Sequence, residues 1–250
     1  MLRFVRPRSP LLARYVTGLW YCAREPLHRY ERVLPSGAMQ LLVDLAAQRA
    51  IVTGPMTRPT IVATSGMRQL LGAVFLVGRA WPFVSTPCHA LHNDHAALVD
   101  VWPHATSLVD RLLAAHTADR QLALLEQILL CRLTDRLSAE RHDDVSPALA
   151  ALADCERVAS VAADLGLSCA TLGRRFAQYV GVSPKAWAGV ARFQRATKLI
   201  AAGHDDLADV AVASGYYDQA HMTRSFRAYG DLTPSRYRPL SRDEPNHVAV

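Results

Sequence analysis

The chain has 250 residues, of which 50% are hydrophobic and 20% are charged, with a formal net charge of +6. A chain of this length and composition can bury two hydrophobic cores, so we expect two domains. Its apolar runs are too short to cross a bilayer, and the N-terminal MLRFVRPRSP lacks the apolar region of a signal peptide, which predicts a cytoplasmic protein. The five cysteines are scattered without paired spacing, which suits a reducing compartment.

Residues 1–105 are predicted to form a β-rich domain. An early helix is expected at about 10–21. Short apolar and β-branched stretches follow, separated by turn residues such as Pro35-Ser36-Gly37 and Gly54-Pro55. Stretches of this kind and spacing indicate a small, mostly antiparallel sheet. The predicted strands are 40–46, 50–53, 60–64 and 69–78.

A cluster of potential metal ligands follows the predicted sheet: Cys88, His89, His92 and His95. Thiolate and imidazole ligands at three-residue spacing can meet on one face of a helix. The alternative is a solvated loop, which we favour because the cluster contains neither an H-E-x-x-H nor a C-x-x-C motif.

Residues 106–143 change to a helical period, with leucines at 108, 112, 122, 125, 129, 133 and 137. The pattern predicts two helices with a break near His116-Thr117. This segment is either a dimerisation face or a connector that packs between domains. We favour the connector because a sustained heptad is absent.

Residues 144–239 contain one motif twice, about fifty residues apart. The copies are VASVAADLGLSCATLGRRF at 158–176 and LADVAVASGYYDQAHMTRSF at 207–226. In each copy an alanine (Ala162, Ala211) precedes a glycine (Gly166, Gly215) by four residues. A small residue lets two helices cross closely, and glycine can adopt the positive φ of a tight turn. Each copy therefore predicts a helix-turn-helix.

The second helix of each copy has a start signal and an inward-facing apolar pair. Ser168 and Asp218 stand at the expected N-caps, and Ser183-Pro184 and Thr233-Pro234 start further helices in the same way. The inward pairs are Leu172 with Phe176 and Met222 with Phe226. Because two such units occur in register, the sequence favours a tandem DNA-reading module over an ordinary helical bundle.

One helix at about 184–202 is predicted to join the two units. It would span roughly 28 Å, close to the ~34 Å between successive major-groove windows on one face of B-DNA. Arg192, Arg195 and Lys198 recur along it, either as a solvated face or as phosphate contacts. From Thr171 to Arg238 there are ten basic and five acidic side chains, so the positive charge is concentrated in the proposed DNA-reading region.

Residues of about 145–239 resemble the DNA-binding domain of the AraC/XylS family of bacterial transcription regulators. The second unit carries the resemblance best, through GYYDQAHMTRSFRAYG and TPSRYRP. The N-terminal region resembles that of a subset of AraC-like regulators, through LPSG at 34–37 and GPMTRP at 54–59. In that subset arginines flank the strand that is AVFLV here, whereas this chain has Val74 and Leu76 there and Arg79 just beyond.

The resemblance implies a sequence-specific transcription regulator of α+β class, with a β-rich N-terminal sensor-like domain and an all-α C-terminal domain. The implied partners are double-stranded promoter or operator DNA, RNA polymerase, a small-molecule effector and a second copy in a homodimer. No cofactor and no catalytic residue are expected. Residues 240–250 are expected to form a flexible tail.

Base-reading side chains should extend from the exposed face of each second helix into the major groove. In the first unit Ala170 and Gly173 are too short for hydrogen bonding, so the second unit is expected to carry most of the specificity. The predicted DNA-binding residues are Thr171, Arg174, Arg175, Arg192, Gln219, His221, Thr223, Arg224 and Arg227.

Two other classes of function remain open at this stage. One is a metal- or thiol-dependent enzyme with an appended DNA-binding module. The other is a protein-interaction module whose first helix-turn-helix no longer reads DNA, which the small residues Ala170 and Gly173 would favour.

Overall fold

The computed structural model describes residues 2–24, 28–64, 68–102, 105–139, 144–242 and 244–250. The strands are β1 Leu2–Val5, β2 Val16–Arg24, β3 Tyr30–Val33, β4 Gln40–Asp44, β5 Arg49–Thr53, β6 Thr60–Ala63, β7 Arg68–Phe75, β8 His95–Ala97 and β9 His247–Ala249. The helices are α1 Leu98–Val101, α2 Leu108–Ala114, α3 Ala118–Ala139, α4 Ser146–Ala153, α5 Val158–Asp164, α6 Cys169–Tyr179, α7 Pro184–Ala201, α8 Leu207–Ala213 and α9 Gln219–Gly230. No described helix is both long and apolar enough to span a membrane.

The strands form two antiparallel sheets. One has six strands in the order β1-β2-β7-β4-β5-β8, and the other has three in the order β6-β3-β9. The predicted α+β class and antiparallel sheet are confirmed. The helix predicted at 10–21 is wrong: only a short 3-10 turn, Leu12–Arg14, precedes β2. Val16, Trp20 and Tyr21 are β-branched or aromatic and suit a strand, and pairing with β1 and β7 holds them there.

The two connector helices pack into the N-terminal core. They break at His116, whose φ is +56°, as the sequence predicts. The buried leucines of α3 share one cluster with core residues of the sheet, among them Leu19 and Leu41. The buried leucine stripe of α3 therefore packs within the N-terminal core. Residues 140–143, at the end of the predicted connector, lie outside the described residues.

The C-terminal helices surround two further cores. One contains Leu172 and Phe176, and the other contains Met222 and Phe226. The N-terminal part contributes the buried Leu34 to the second core. Each helix-turn-helix thus has its own core, as its inward-facing pair predicts.

The end of the chain is not a free tail. β9 pairs with β3, and its Val248 is 6% exposed in the core of the second helix-turn-helix. The Tyr237 hydroxyl donates a hydrogen bond to the Pro245 carbonyl over 2.6 Å. The prediction of a flexible segment at 240–250 is wrong because an apolar residue and a distant strand edge hold it in place.

The LPSG segment lies against α7. A Cβ at Gly37, whose φ is +72°, would lie 2.8 Å from a ring carbon of Trp187. The Gln194 amide donates to the Pro35 carbonyl over 2.8 Å. One of the two N-terminal motifs that carry the family resemblance therefore forms part of the contact between the domains.

Candidate nucleic-acid interface

The first helix-turn-helix consists of α5 and α6. Gly166 makes the turn with a φ of +66°, and Ala162 is buried at the crossing. The Ser168 hydroxyl accepts a hydrogen bond from the Thr171 amide over 3.1 Å and so caps α6. These three features of the sequence prediction are confirmed. They fix the direction in which α6 leaves the turn.

The second unit, α8 and α9, repeats this geometry. Gly215 has a φ of +83°, and Ala211 is fully buried. An Asp218 carboxylate oxygen accepts from the His221 amide over 2.6 Å. Asp206 caps α8 by accepting from two backbone amides. Both helices of this unit thus have a capped N-terminus.

Helix α7 joins the units. Its first turn is capped by the Ser183 hydroxyl, which accepts from the Ala186 amide over 3.2 Å. Near this end the Trp187 indole donates to the Leu149 carbonyl, whereas Phe193 lies in the core of the second unit. At 1.5 Å per residue its 18 residues span about 27 Å. The helix is therefore a rigid spacer that belongs to both cores.

On the outer face of α6, the long polar side chains are partly occupied with one another. The Arg174 guanidinium is exposed and donates to the Thr171 hydroxyl over 3.0 Å. Arg175, beside it, is half-buried. Gly173 has open space around it, since nothing lies within 4 Å of a Cβ built there. This face therefore presents the guanidinium group of Arg174 beside the open space at Gly173.

On the outer face of α9, Gln219 and Arg224 are exposed. The ring of His221 packs edge-on against Tyr216, with 5.1 Å between centroids. The Thr223 hydroxyl donates to the Gln219 carbonyl over 2.8 Å. Of the four predicted residues named on this face, Gln219 and Arg224 are thus the exposed ones, whereas His221 and Thr223 are half-buried.

Two basic residues of α7, Arg192 and Arg195, are less accessible than a solvated face would be, whereas Lys198 is exposed. Arg192 is half-buried beside Tyr229. Burial raises the pKa of Tyr229, and the charge of Arg192 partly offsets that rise. The Arg195 guanidinium donates to the Ala153 carbonyl and lies 3.7 Å from Asp154. Arg195 thus holds the end of α4 against α7, a role that neither sequence alternative included.

Arg227 is exposed, but it lines a cleft shared with the N-terminal domain through Arg32. Sequence reasoning missed this cleft, since no local pattern links residue 32 to residue 227. The same Arg32 guanidinium donates to the carbonyls of Gly230 and Asp231 at the end of α9, over 3.2 and 2.9 Å.

The four potential metal ligands are not gathered into one site. Among the described residues, no group of three or more His, Cys, Asp or Glu side chains could hold a metal ion. Cys88 is fully buried, and burial raises its pKa to about 12. The His92 ring lies 2.9 Å from the Thr57 hydroxyl. The short 3-10 turn Cys88–Leu91 packs Cys88 inward, while His89 and His95 are exposed.

Comparison with known proteins gives two family matches. A model described as a helix-turn-helix domain matches residues 161–239, and a domain of unknown function (DUF6597) matches residues 4–97. Together they cover both parts of the fold described above.

Several curated regulators are similar to this chain. The arabinose operon regulatory protein of Escherichia coli is 27% identical over 184 residues, which cover 68% of this chain and 62% of the relative. The virulence regulon transcriptional activator VirF of Yersinia enterocolitica is 29% identical over 33% of this chain and 30% of its own length. HTH-type regulator ExsA of Pseudomonas aeruginosa is 32% identical over 30% and 27%. The chain thus spans under two thirds of the length of each of these relatives.

Among solved structures, ToxT from Vibrio cholerae is 11% identical, with a TM-score of 0.44 over 88% of this chain and 96% of that chain. An AraC-type transcriptional regulator from Chromobacterium violaceum is 22% identical, with a TM-score of 0.34 over 36% and 85%. The helix-turn-helix match falls on the two capped units. The C-terminal part of the chain therefore matches a helix-turn-helix domain and is similar to AraC-type transcription regulators, and a second matched domain precedes it.

Proposed function

We propose that the protein binds specific DNA sequences and regulates transcription, with α6 and α9 entering successive major-groove windows. The observation that carries this proposal is the pair of capped helix-turn-helix units held on one helix of about 27 Å. The helix-turn-helix domain match and the names of the similar proteins, which are transcription activators and regulators, support it. We extend the proposal to contact with RNA polymerase on the same basis.

In this proposal the two helix-turn-helix units make different contacts with DNA. Gln219 and Arg224 have the length and donor geometry to read adenine and guanine. Arg174 occupies the position in α6 equivalent to Arg224 in α9, but it is next to Gly173 and bonded to Thr171. We therefore assign base reading mainly to α9 and phosphate contact mainly to α6.

We propose a sensing role for the N-terminal domain. Dimerisation through the leucine stripe of α3 is disfavoured because Leu125, Leu129 and Leu133 are fully buried in the intramolecular core. A dimer formed through another surface is compatible with this proposal.

The test compares Arg224→Ala with the matched control Arg174→Ala. A preferred site is first selected from a random duplex pool by the full chain, and Kd is then measured on that site and on shuffled duplexes at fixed salt. Arg224→Ala should lose about 1–3 kcal/mol on the preferred site and discriminate less between sequences. Arg174→Ala should weaken binding to all duplexes about equally.

Equal losses on every duplex for Arg224→Ala would mean that this side chain contacts only phosphate, and base reading by α9 would be wrong. If the full chain selects no sequence and binds no duplex at low salt, the protein-interaction alternative replaces DNA binding.

A further inference from the structure

The turns that end α6 and α9 both lie against the N-terminal domain. Gly181, after α6, and Asp231, after α9, occupy equivalent positions, since each stands two residues before its Ser-Pro or Thr-Pro pair. Both residues adopt the left-handed conformation, with φ values of +83° and +52°. The two helix-turn-helix units therefore present the same corner to the N-terminal domain.

At the corner of the first unit, Gly181 fits closely against two N-terminal segments. A Cβ at Gly181 would lie 2.6 Å from a side-chain carbon of Pro55 and 2.7 Å from the carbonyl oxygen of Cys88. Two residues earlier, the ring of Tyr179 meets the ring of Trp81 edge-on, with 6.4 Å between centroids. Because any side chain at position 181 would collide with Pro55 and Cys88, this close approach requires a glycine.

At the corner of the second unit, Arg32 of β3 makes the contact. Its guanidinium donates to the carbonyls of Gly230 and Asp231 over 3.2 and 2.9 Å, and it lies 3.6 Å from the Asp231 carboxylate. Only 18% of the Arg32 side chain is exposed, so water competes little for these hydrogen bonds. The N-terminal domain thus receives both corners on one contact surface, formed by Arg32, Pro55, Trp81 and Cys88.

The opposite ends of α6 and α9 are not covered by the N-terminal domain. The cap and first turn of each helix, residues 168–170 and 218–220, are exposed. At 1.5 Å per residue, the 11 residues of α6 and the 12 of α9 place these ends about 16 and 18 Å from the contact surface. The N-terminal domain therefore holds both helices by their C-terminal ends and leaves free the ends that would enter a groove.

We propose that this contact surface fixes the angle between α6 and α9, so that both helices meet successive major-groove windows at once. Helix α7 connects the two units directly, and the N-terminal domain adds a second connection between them. Two linked sites bind more tightly when they are already held in the bound arrangement, because less conformational freedom is lost on binding. Arg32 and Trp81 are thus positioning residues for DNA binding, and this inference rests on the proposed function.

The first measurement tests the positioning in the full chain without DNA. Spin labels are attached to the exposed Cys169 of α6 and to an Ala220→Cys substitution on the exposed face of α9. The fully buried Cys88 is kept, and three other cysteines are replaced by serine: Cys22, Cys131 and Cys155.

Pulsed dipolar spectroscopy then gives the distribution of distances between the two labels. We expect a narrow distribution in this background and one at least twice as wide after Arg32→Ala, because the second unit loses its contact with the N-terminal domain. The matched control is Arg29→Ala, which removes an exposed arginine immediately before β3 and should leave the distribution narrow.

The second measurement compares the affinity for two duplexes. One carries the preferred site selected by the full chain. The other is shortened by one helical turn, about 10 base pairs, at the end where shortening preserves sequence preference, so that only the α9 window remains. Arg32→Ala should bind the two-window duplex at least fivefold more weakly than wild type and the one-window duplex within twofold of wild type.

This difference between the duplexes separates positioning from a merely structural role, since damage to the second unit would weaken binding to both duplexes equally and would overturn the proposal. Trp81→Leu provides a second variant. It removes the ring contact at the first corner without changing either helix-turn-helix unit, and it should show the same loss on the two-window duplex only.

Three further outcomes decide the proposal. Unchanged label distances and unchanged affinities in Arg32→Ala and Trp81→Leu would show that α7 alone sets the angle. Tighter binding of the two-window duplex by Arg32→Ala would show that the N-terminal domain holds the units in an arrangement that DNA does not accept, which also overturns the proposal. Label distances that broaden in Arg32→Ala, with no duplex bound by any chain, would confirm that the contact surface fixes the angle and would refute the proposed function alone.

Discussion

Gly166 and Gly173 of the first helix-turn-helix both have open space around them but differ in backbone conformation. A Cβ on either Gly166 or Gly173 would have nothing within 4 Å, but Gly166 has a φ of +66° and Gly173 is helical. Gly173→Ala should therefore raise the free energy of unfolding by about 0.5–1 kcal/mol, because alanine loses less entropy in a helix. Urea titration of the full chain measures the change.

Gly166→Ala is the matched control. It should destabilise the chain by about 1–2 kcal/mol, since an L-residue is strained in the left-handed region. DNA affinity should be unchanged in Gly173→Ala. A loss of affinity at wild-type stability or better would show that the backbone at Gly173 approaches DNA closely, contrary to the open space found there.

Asp144 carries a pH-dependent contact between the domains. Burial raises the pKa of its carboxyl, but hydrogen bonds from Ser146 and the charge of Arg79 outweigh that and hold the pKa below its usual range. A lowered folded-state pKa means that the contribution to stability is present above the unfolded value of 3.8 and is lost as pH falls through the folded value.

Asp144→Asn should therefore reduce the free energy of unfolding at pH 7 by no more than about 1 kcal/mol, because the carboxylate is largely exposed. The difference from wild type should shrink as the pH falls below 3.8. Denaturant titrations from pH 7 to pH 3 measure this difference. A gap that stays constant over that range would mean that the ionised carboxylate contributes nothing.

At the scale of elements, the C-terminus of α9 is capped from the other domain. Arg32 of β3 donates to the last carbonyls of α9, which have no partner within the helix, and its charge suits the negative end of the helix dipole. Arg32→Ala should destabilise the chain by about 1–2 kcal/mol. Hydrogen exchange should also become faster in the last turn of α9.

The control for this prediction is Arg29→Ala, which removes an exposed arginine immediately before β3 begins at Tyr30–Val33. That variant should match wild type in both measurements. If Arg32→Ala leaves hydrogen exchange in the last turn of α9 unchanged, then the left-handed cap at Asp231, with its φ of +52°, is sufficient to stabilise the end of the helix.

At the scale of the whole molecule, the C-terminal domain contains nearly all of its own core. Both helix-turn-helix cores are built from residues after 144, except for the packing of Val77 and the buried Leu34. A fragment of residues 144–250 should therefore fold and bind DNA at low salt, but with a lower melting temperature than the full chain. Circular dichroism and anisotropy measure these properties.

The same fragment lacks the N-terminal domain, so its DNA affinity should not respond to a small molecule that regulates the full chain. An unfolded fragment would show that contacts such as Arg79 with Asp144 and Trp81 with Tyr179 are required for folding. A folded fragment that binds no duplex would show that the N-terminal domain is required for DNA binding.

Local signals in the sequence predicted the helix-turn-helix units and most of the central strands. A cap, a glycine turn and an apolar pair act within about ten residues, so Ser168, Gly166 and Phe176 each indicate their structure without knowledge of the rest. The same holds for the break at His116. Residues 10–21 were mispredicted because β2 is stabilised by pairing with β7, about fifty residues away.

The sequence by itself therefore determined that this chain carries two helix-turn-helix units on one spacer helix after a β-rich domain. Only the tertiary structure decided that β9 pairs with β3, that Arg195 holds α4, and that Arg32, Arg227 and Arg236 share a cleft. Arg32 and Gly230 are 198 positions apart, and their contact depends on how two separately packed cores meet. Hydrophobic periodicity and capping residues predict the structure of nearby residues only. The contact between Arg32 and Gly230 depends instead on packing across the whole molecule.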